Sequence, residues 1–599
     1  MFTTRPEITG TFGVVTSTHW LASTVGMSML ERGGNAFDAC VASGFMLHVV
    51  EPHLVGPAGE VPGIFHSAST GRTEVLCGQG STPAGATLAH YRAQGLTMIP
   101  GNGLLATVIP GAFDAWMILL RDHGSKSLRD VLEPAIHYAE HGHPLLPRVA
   151  DTIANLKEFF ESYWPTSAQV YLPGGAVPEA GKLFCNPTLA QCWRRLLTEA
   201  EAVGADRTQQ IEQARKVFYG GFIAEAIDRF VANNEVMDES GRPNKGVLTG
   251  DDLSRWSASY EQPLTYQYGN VTVAKTGPWS QGPVFLQTLA LLKHTDIAGL
   301  PHGDPRFIHT LVEAMKLAFA DREAYYGDPD FVDVPMQQLL SDDYNRARSR
   351  LIGDTASDLL RPGVLPGFEA QHQRIMDVLA RLSPELTADT PLSAMDKSNP
   401  MLSAKRGDTT HIDVIDRWGN MVSVTPSGGW LQSSPVIPEL GFGLNTRAQM
   451  FWLEEGLPGT LAPNKRPRTT LSPTFLFKDD RPYMVMGTPG GDQQEQWQLV
   501  LFLRHLHQGM NLQEAIDAPL FHTQHFPSSF YPRGRKPANI TLESSVGEAV
   551  MDDLRRRSHA LEVSPPWTIG RLTAATRDAD GILHAAASPR LMQAYAIGR

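Results

Sequence analysis

The most constraining feature of this 599-residue chain is a β-hairpin pattern that begins at a threonine. Residues 412–416 (IDVID) and 421–425 (MVSVT) are short runs rich in β-branched residues, and Gly419 and Asn420 occupy the turn between them. Such runs around a glycine-containing turn are typical of two paired antiparallel strands. The pattern therefore predicts two neighbouring strands, with Thr409 at the start of the first, directly after a polar stretch.

Thr409 is a candidate nucleophile because of where it lies. A threonine hydroxyl is a weak nucleophile unless a base lies beside it, and the α-amino group of an N-terminal threonine is one such base. Thr409 gains that amine only if the bond between Asp408 and Thr409 is cut. Threonine is also common at the start of ordinary strands. The junction alone therefore favours a structural role, and the motifs further along the chain reverse that preference.

Length, composition and charge are those of a soluble enzyme. A chain of 599 residues exceeds the size of a single core, so two domains or two interlocked halves are expected. The formal net charge of −12 argues against nucleic-acid binding, which needs clustered cations. No apolar run approaches the length needed to cross a bilayer, and the first residues lack a leader pattern. The expected location is cytoplasmic.

The cysteines give no indication of a metal site. They are sparse, and their positions show neither a CxxC pair nor the spacing of zinc ligands: Cys40, Cys77, Cys185 and Cys192. A reduced environment fits this usage. We therefore expect no metal and no cofactor.

Helical and strand-like stretches alternate along the chain without a short repeat. The spacing predicts a mostly helical, peripheral region over residues 150–245 and a mobile connector over about 376–408, where little periodicity remains. Four stronger helices are predicted at residues 17–31, 37–50, 309–326 and 494–507.

A glycine-rich turn in the last third of the chain is a candidate oxyanion site. Residues 487–491 (GTPGG) place Gly490 and Gly491 between a predicted strand and the helix at 494–507. Consecutive backbone N–H groups at such a turn can bind the oxyanion of a tetrahedral intermediate. By itself, however, a Pro-Gly-Gly sequence is more often a simple tight turn.

Two further loops carry candidate binding groups. Residues 463–473 (PNKRPRTTLSP) contain the adjacent hydroxyls of Thr469 and Thr470, and residues 441–447 (GFGLNTR) contain Asn445 and Arg447. An amide and a guanidinium are suited to binding a carboxylate. Taken singly, each loop is more readily a solvated surface feature.

Together these motifs resemble those of the γ-glutamyltransferase (γ-glutamyltranspeptidase) family of N-terminal-nucleophile hydrolases, over nearly the whole chain. The specificity of the match comes from the number of motifs and their order. They are residues 33–39 (GGNAFDA), 109–111 (IPG), 248–253 (LTGDDL), 313–322 (EAMKLAFADR), 327–332 (GDPDFV), 409–411 (TTH), 419–420 (GN), 463–467 (PNKRP) and 489–491 (PGG).

The resemblance implies a fold and an assembly. The fold is a four-layer αββα sandwich with a peripheral helical region. The chain would be a zymogen that cleaves itself at Asp408–Thr409 into a large subunit, residues 1–408, and a small subunit, residues 409–599, which stay associated. The resemblance leaves open a dimer of two such pairs. It implies no nucleic-acid or membrane partner.

The resemblance also implies roles for individual residues. Thr409 would attack an amide carbonyl, and the acyl group would pass from Thr409 to water or to an acceptor amine. Ser427 matches a second hydroxyl that supports the nucleophile, and Gly490 and Gly491 match the oxyanion-hole glycines. Three matches lie in the donor pocket: Asn445, Thr469 and Thr470.

The donor pocket departs from the family pattern at several positions. Gln79 stands where typical members have an arginine that binds the donor α-carboxylate, and Met450 stands where they have an acidic residue for the α-ammonium. Arg447 replaces a glutamine and offers a different cation. An α-amino acid head group would lose several kcal/mol of pairing in such a pocket.

Three functions follow. The first is a γ-glutamyltransferase-like amidohydrolase or acyltransferase that cleaves γ-glutamyl (glutathione-like) or related amide bonds of a small-molecule donor. The second is an acylase for dicarboxylic acid monoamides without an amino group, such as glutaryl or oxamate-like donors. The third is a relative that does not process itself and acts only by binding.

Overall fold

The computed structural model describes residues 2–381 and 408–599, and two seven-stranded antiparallel sheets lie at its centre. In hydrogen-bonding order, the first sheet contains Ile8–Gly10, Leu583–Ala587, Thr573–Arg577, Arg481–Gly487, Thr474–Lys478, Val271–Lys275 and Leu264–Tyr268. The second sheet contains Tyr595–Gly598, Gly13–Ser17, Ile412–Asp416, Met421–Val424, Val61–Ser67, Arg72–Gly78 and Ser259–Glu261.

Both sheets combine strands from before and after the Asp408–Thr409 junction. In the second sheet, the strand Gly13–Ser17 pairs with Ile412–Asp416, with Val15 opposite Val414. On the other side of the hairpin, Met421–Val424 pairs with Val61–Ser67. The two segments are therefore joined by backbone hydrogen bonds along complete strands.

The side chains of the sheets form three apolar layers. Alternate residues of a strand point to opposite faces, so Ile412 and Val414 face helices while Ile415 faces the first sheet. The layer between the sheets also contains Phe475 and Val485 from the first sheet. Helices cover both outer faces, which gives the order helix, sheet, sheet, helix. The predicted αββα sandwich is confirmed.

Separate groups of helices pack on the two sheets. Those in the apolar cluster of the second sheet are Trp20–Glu31, Ala36–Val50, Ala112–His123, Leu128–His141, Pro187–Glu201, Arg207–Gly220 and Phe222–Asn233. Those in the cluster of the first sheet are Pro283–Leu292, Pro305–Tyr325, Glu369–Arg381, Gln494–His507, Leu512–Asp517 and Glu548–Arg556. Shorter helices are Leu88–Ala93, Gly250–Arg255, Met336–Leu339 and Asp342–Ser349.

The helix Ala36–Val50 shows how the sequence sets an element boundary. Asn35 accepts hydrogen bonds from the first-turn amides, and Asp38 accepts one from the amide of Asn35, which completes a capping box. Gly33 precedes the cap with φ +81°, a conformation that favours glycine. All fifteen residues of the helix are buried. The capped start thus directs an entirely buried helix onto the second sheet.

The predicted elements correspond closely to the observed ones. The four stronger predicted helices are confirmed as Trp20–Glu31, Ala36–Val50, Pro305–Tyr325 and Gln494–His507. The region 150–245 is mostly helical, and its first helices, Pro147–Tyr163 and Pro165–Tyr171, form an apolar cluster of their own.

The start of the predicted connector is placed too early. Residues 376–381 belong to the helix Glu369–Arg381, because Ile375, Val378 and Leu379 share a buried face at helical spacing. Residues 382–407 of the predicted connector lie outside the described residues.

Candidate active site

Thr409 lies at the entrance to the hairpin, between the two sheets. It forms an isolated antiparallel bridge with Ser427, and its side chain is almost fully buried. The next residue, Thr410, donates backbone and side-chain hydrogen bonds to the carbonyl of Pro426, at 2.9 and 2.8 Å. These contacts hold Thr409 in a fixed position at the end of the strand pair.

Ser427 contacts both sides of the predicted cleavage site. The Thr409 hydroxyl lies 3.4 Å from the Ser427 hydroxyl. Ser427 in turn donates a hydrogen bond of 3.0 Å to the backbone carbonyl oxygen of Asp408. A donor on this oxygen polarises the carbonyl that Thr409 would attack in self-cleavage, so the precursor geometry suits that attack.

The side chain of Asp408 bridges the junction to a buried cation. One carboxylate oxygen accepts a hydrogen bond of 2.9 Å from the backbone N–H of Thr409. The other forms an ion pair with the guanidinium of Arg571, a buried residue just before a strand of the first sheet. Burial, with repulsion from Arg148, lowers the pKa of Arg571 to about 9 against the opposing effect of Glu51.

A buried polar network lies below Thr409, between the sheets. His411 contacts the hydroxyl of Thr425 at 3.0 Å and the carboxylate of Asp413 at 2.8 Å. Asp413 also accepts hydrogen bonds from Thr16 of the second sheet and Thr573 of the first, at 3.0 and 2.7 Å. The network links the hairpin that carries Thr409 to both sheets.

Gly490 and Gly491 form the turn between the strand Arg481–Gly487 and the helix that follows. Their φ angles are +131° and +54°. A Cβ atom on Gly490 would lie 2.3 Å from the Trp497 ring, and one on Gly491 would lie 2.9 Å from Phe530. Within the described residues, no backbone hydrogen bond engages the N–H of either glycine. Both amides therefore remain available to an oxyanion.

The turn is held from behind by a buried arginine. Arg322 donates to Asp492 at 2.5 Å and to the side-chain oxygen of Gln281 at 2.9 Å, and Gln281 donates to the carbonyl of Gly491 at 2.9 Å. Burial alone raises the pKa of Asp492, but the Arg322 guanidinium and hydrogen bonds from Ser529 outweigh it and hold the pKa below its usual value. Arg322 thus fixes the residues on either side of the oxyanion turn.

The junction and the glycine turn open into one cavity of about 720 Å³. Asp408, Gly490 and Gly491 line it, so the predicted scissile peptide and the predicted oxyanion site face the same space. Other lining residues include His53, Arg148, Gln432, Trp497 and Phe530. Asp408, the residue directly before Thr409, thus faces the same space as the glycine turn.

The predicted substrate-binding residues are not among the described residues that line this cavity. Asn445 is buried, and its amide is engaged by backbone: it donates to the carbonyls of Ala58 and Val108 and accepts from the N–H of Val108, at 2.9–3.0 Å. Thr469 accepts a backbone hydrogen bond from Gln281, the residue that also holds Gly491. Asn445 and Thr469 therefore position the walls of the site.

Arg447 is paired within the protein. Its guanidinium lies 3.0 Å from the carboxylate of Glu60 and over the ring of Trp430, and both charged groups are buried. Burial raises the pKa of Glu60, and Arg447 opposes that effect. Arg447, which the sequence predicted as a cation for a donor carboxylate, thus already has an anionic partner.

Gln79 and Thr470 are buried polar residues with unused capacity. The oxygen of the Gln79 amide and the hydroxyl of Thr470 have no hydrogen-bond partner among the described residues. Met450 is buried as well. Gln79 and Met450 are uncharged where typical family members, by resemblance, carry a cation and an anion.

Two functional candidates were not identified from the sequence. Arg571 and Glu51 are single charged residues beside apolar stretches, with no spacing that relates them to Thr409. By contrast, strand alternation could have identified the His411–Asp413 pair, because residues two apart share a face. Within the described ranges, no three metal-ligating side chains cluster and no helix is long and apolar enough to cross a membrane.

Comparison with known proteins agrees with this geometry. The chain shares 30% identity with the glutathione hydrolase-like YwrD proenzyme of Bacillus subtilis (strain 168) over 592 residues, or 98% of each chain. The structure LmbA2991HD matches with a TM-score of 0.91 and 54% identity over 100% of both chains. Cephalosporin acylase from Bacillus halodurans matches with a TM-score of 0.81 and 25% identity over 100% of this chain and 98% of its own.

The αββα fold and these likenesses define an enzyme, a hydrolase of the N-terminal-nucleophile type. A family model described as Gamma-glutamyltranspeptidase matches residues 22–598. The chain belongs to the γ-glutamyltranspeptidase family. Proenzymes of this family are processed into two chains of one precursor.

Proposed function

We propose that this chain cleaves itself between Asp408 and Thr409 and that the new N-terminal Thr409 hydrolyses or transfers γ-glutamyl or related amide-linked acyl groups. Residues 1–408 would form the large subunit and 409–599 the small one. The single observation that carries the proposal is the hydrogen bond of 3.0 Å from Ser427 to the carbonyl of Asp408, beside the Thr409 hydroxyl.

The same residues serve both reactions in this proposal. Thr409 attacks the donor carbonyl while its α-amine takes the hydroxyl proton and later gives it to the leaving amine. Gly490 and Gly491 stabilise the oxyanion, and Ser427 orients the nucleophile. Water or an acceptor amine then takes the acyl group. The family resemblance leaves open a dimer of processed pairs, which sedimentation of the purified enzyme measures.

Self-cleavage is tested directly on a denaturing gel. The purified protein should run as two fragments, and sequencing of the shorter one should begin at Thr409. Thr409→Ala should remain one inactive chain, because the hydroxyl is needed for both attacks. A new N-terminus at any other residue, or an active Thr409→Ala, contradicts the proposal.

One observation favours the acylase activity as a second candidate: Gln79 and Met450, at the two positions where typical members by resemblance carry a cation and an anion, are both buried and uncharged. A donor ammonium would have no anion there, and burying an unpaired charge is costly. Glutaryl-p-nitroanilide should therefore equal or exceed γ-glutamyl-p-nitroanilide as a donor. A preference for the γ-glutamyl donor of more than about tenfold, or 1.4 kcal/mol, would reject the acylase candidate and leave the first proposal standing.

A further inference from the structure

In the precursor, Arg571 is paired with the very group that self-cleavage turns into a chain end. The guanidinium of Arg571 is buried, and its ion pair is with the Asp408 carboxylate. Asp408 itself lines the cavity of about 720 Å³, whereas Arg571 lies behind it. Removal of Asp408 would therefore expose a buried cation to the cavity.

Arg571 has no second ion-pair partner in the described ranges 2–381 and 408–599. Asp408 is the only residue there that forms an ion pair with Arg571. The charge of Glu51 also acts on Arg571, but its two carboxylate oxygens accept hydrogen bonds from Thr18 and Gln593. Arg148 adds a second cation at the cavity wall. Asp151 lies in the same lining and its charge acts on Arg148, so Arg571 is the cation left without an ion-pair partner once Asp408 is gone.

We propose that Arg571 is the carboxylate-binding residue of the processed enzyme and selects acyl donors whose carboxylate lies two carbons from the reacting carbonyl. The inference rests on the proposed function, since Arg571 becomes accessible only after cleavage at Asp408. The donors would be succinyl-type monoamides, and Arg571 is not among the residues of the predicted donor pocket.

The length of the donor follows from the bonds made in self-cleavage. The Thr409 oxygen bonds to the carbonyl carbon of Asp408, the C–N bond breaks, and the hydroxyl proton passes to the new amine. In the resulting ester, two carbons, Cα and Cβ of Asp408, separate the ester carbonyl from the side-chain carboxylate. Water then cleaves the ester, which releases Asp408 as a carboxylic acid and restores the hydroxyl.

A succinyl amide would react through the same steps, and two carbons again separate its reacting carbonyl from its carboxylate. Thr409 attacks the amide carbonyl, the amine leaves with the proton from the Thr409 amine, and water releases succinate from the ester. The succinyl carboxylate then takes the place of the Asp408 carboxylate on Arg571. An oxalyl donor is too short by two carbons and a glutaryl donor too long by one.

The alternative cation, Arg447, is less suited to this role. Its guanidinium is already paired with buried Glu60. Gln79, at the position of the family arginine, is uncharged. In this proposal, Arg571 alone among these three candidates loses its anionic partner, because Asp408 leaves the cavity with the new chain end.

The first test uses the processed wild-type enzyme and four p-nitroanilides: succinyl, glutaryl, oxalyl and butyryl. Butyryl matches succinyl in length and lacks only the charge. We expect kcat/KM to be highest for succinyl, about 10- to 150-fold above butyryl, which is the range of a charge-assisted hydrogen bond. Succinate should inhibit butyryl turnover competitively. A butyryl rate equal to or above the succinyl rate overturns the inference.

The second test removes both charges together, so that no unpaired charge is left buried during processing. In Asp408→Asn combined with Arg571→Gln, the succinyl preference should fall to within threefold of butyryl and succinate inhibition should vanish. Asp408→Asn alone is the control: it leaves Arg571 without its partner in the precursor, so its processed fraction is isolated first, and that fraction should keep the succinyl preference because it keeps Arg571. A double variant with the wild-type preference contradicts the inference.

The two proposals fail in distinguishable ways. If the protein stays a single chain and turns over no donor, the proposed function itself is wrong. If the chain is cut at Thr409 and hydrolyses butyryl- and succinyl-p-nitroanilide equally, only the role of Arg571 is wrong.

Discussion

Ser427 donates a hydrogen bond to the carbonyl oxygen of Asp408, at 3.0 Å, on the bond that precedes the candidate nucleophile. The same hydroxyl lies 3.4 Å from that of Thr409. One serine thus touches both the electrophile and the nucleophile of the predicted cleavage. Variants of Ser427 and of Thr409 can therefore be compared to separate the roles of the two residues.

Ser427→Ala should slow self-cleavage without abolishing it. Loss of one oxyanion-type donor typically costs about 10²–10³ in rate, whereas Thr409 remains able to attack. The measurement is a time course of precursor loss on a denaturing gel. Ser427→Thr keeps a hydroxyl and should stay within about tenfold of the wild type. Equal rates for Ser427→Ala and the wild type would show that this contact does not assist cleavage.

Gly490→Ala and Gly491→Val should each lower turnover by about 10²–10³, the cost of a displaced oxyanion donor. Their new side chains would meet Trp497 and Phe530, which form the wall of the turn. Gly509→Ala is the matched control: its φ is also positive, +65°, but nothing lies within 4 Å of the added Cβ. Turnover is measured on processed enzyme. A Gly491→Val enzyme as active as Gly509→Ala would contradict the oxyanion assignment.

Arg447→Ala should destabilise the fold by about 3–5 kcal/mol, because it leaves the buried carboxylate of Glu60 without its partner. Arg447→Met combined with Glu60→Gln should recover most of that loss, since it removes both charges. The free energy of unfolding in urea measures the difference. Arg229→Ala breaks an exposed pair with Glu439 and should cost at most about 1 kcal/mol. Comparable losses for Arg447→Ala and Arg229→Ala would disprove the buried-pair account.

Glu51 should make stability fall as pH rises from about 4.5 to about 7. Burial raises its pKa from 4.5 to about 7, against the hydrogen bond from Thr18 and the charges of Arg571 and Arg148. Over this window the folded state holds more protons than the unfolded state, so stability decreases with pH. The full effect is about 3 kcal/mol. In Glu51→Gln, the free energy of unfolding should vary less with pH when it is measured from pH 4.5 to 8. An unchanged slope would rule out Glu51 as its source.

The elements around Thr409 could be predicted because their signals are local. Alternation of apolar residues marks both strands of the hairpin, and Asn35 with Asp38 marks the start of a helix within four residues. The glycine turn at Gly490 is likewise encoded in five consecutive residues. Local patterns of this kind also carried the family resemblance.

The charged partners of the site could not be predicted, because they meet only in the folded chain. Arg447 and Glu60 are 387 positions apart, and neither residue indicates the other in the sequence. The sequence therefore offered Arg447 as a free cation, whereas burial makes it half of an internal pair. The position of Arg571 behind Asp408 likewise depends on how the two sheets stack.

The interleaving of strands has a consequence for how the enzyme recovers from denaturation. Before cleavage, refolding is unimolecular, because the strands Gly13–Ser17 and Ile412–Asp416 belong to one chain. After cleavage, Gly13–Ser17 and Ile412–Asp416 belong to different molecules, so the same strand pair forms only by collision. Renaturation yield should then depend on protein concentration and fall on dilution. The proposed processing would thereby make the free energy of unfolding depend on protein concentration.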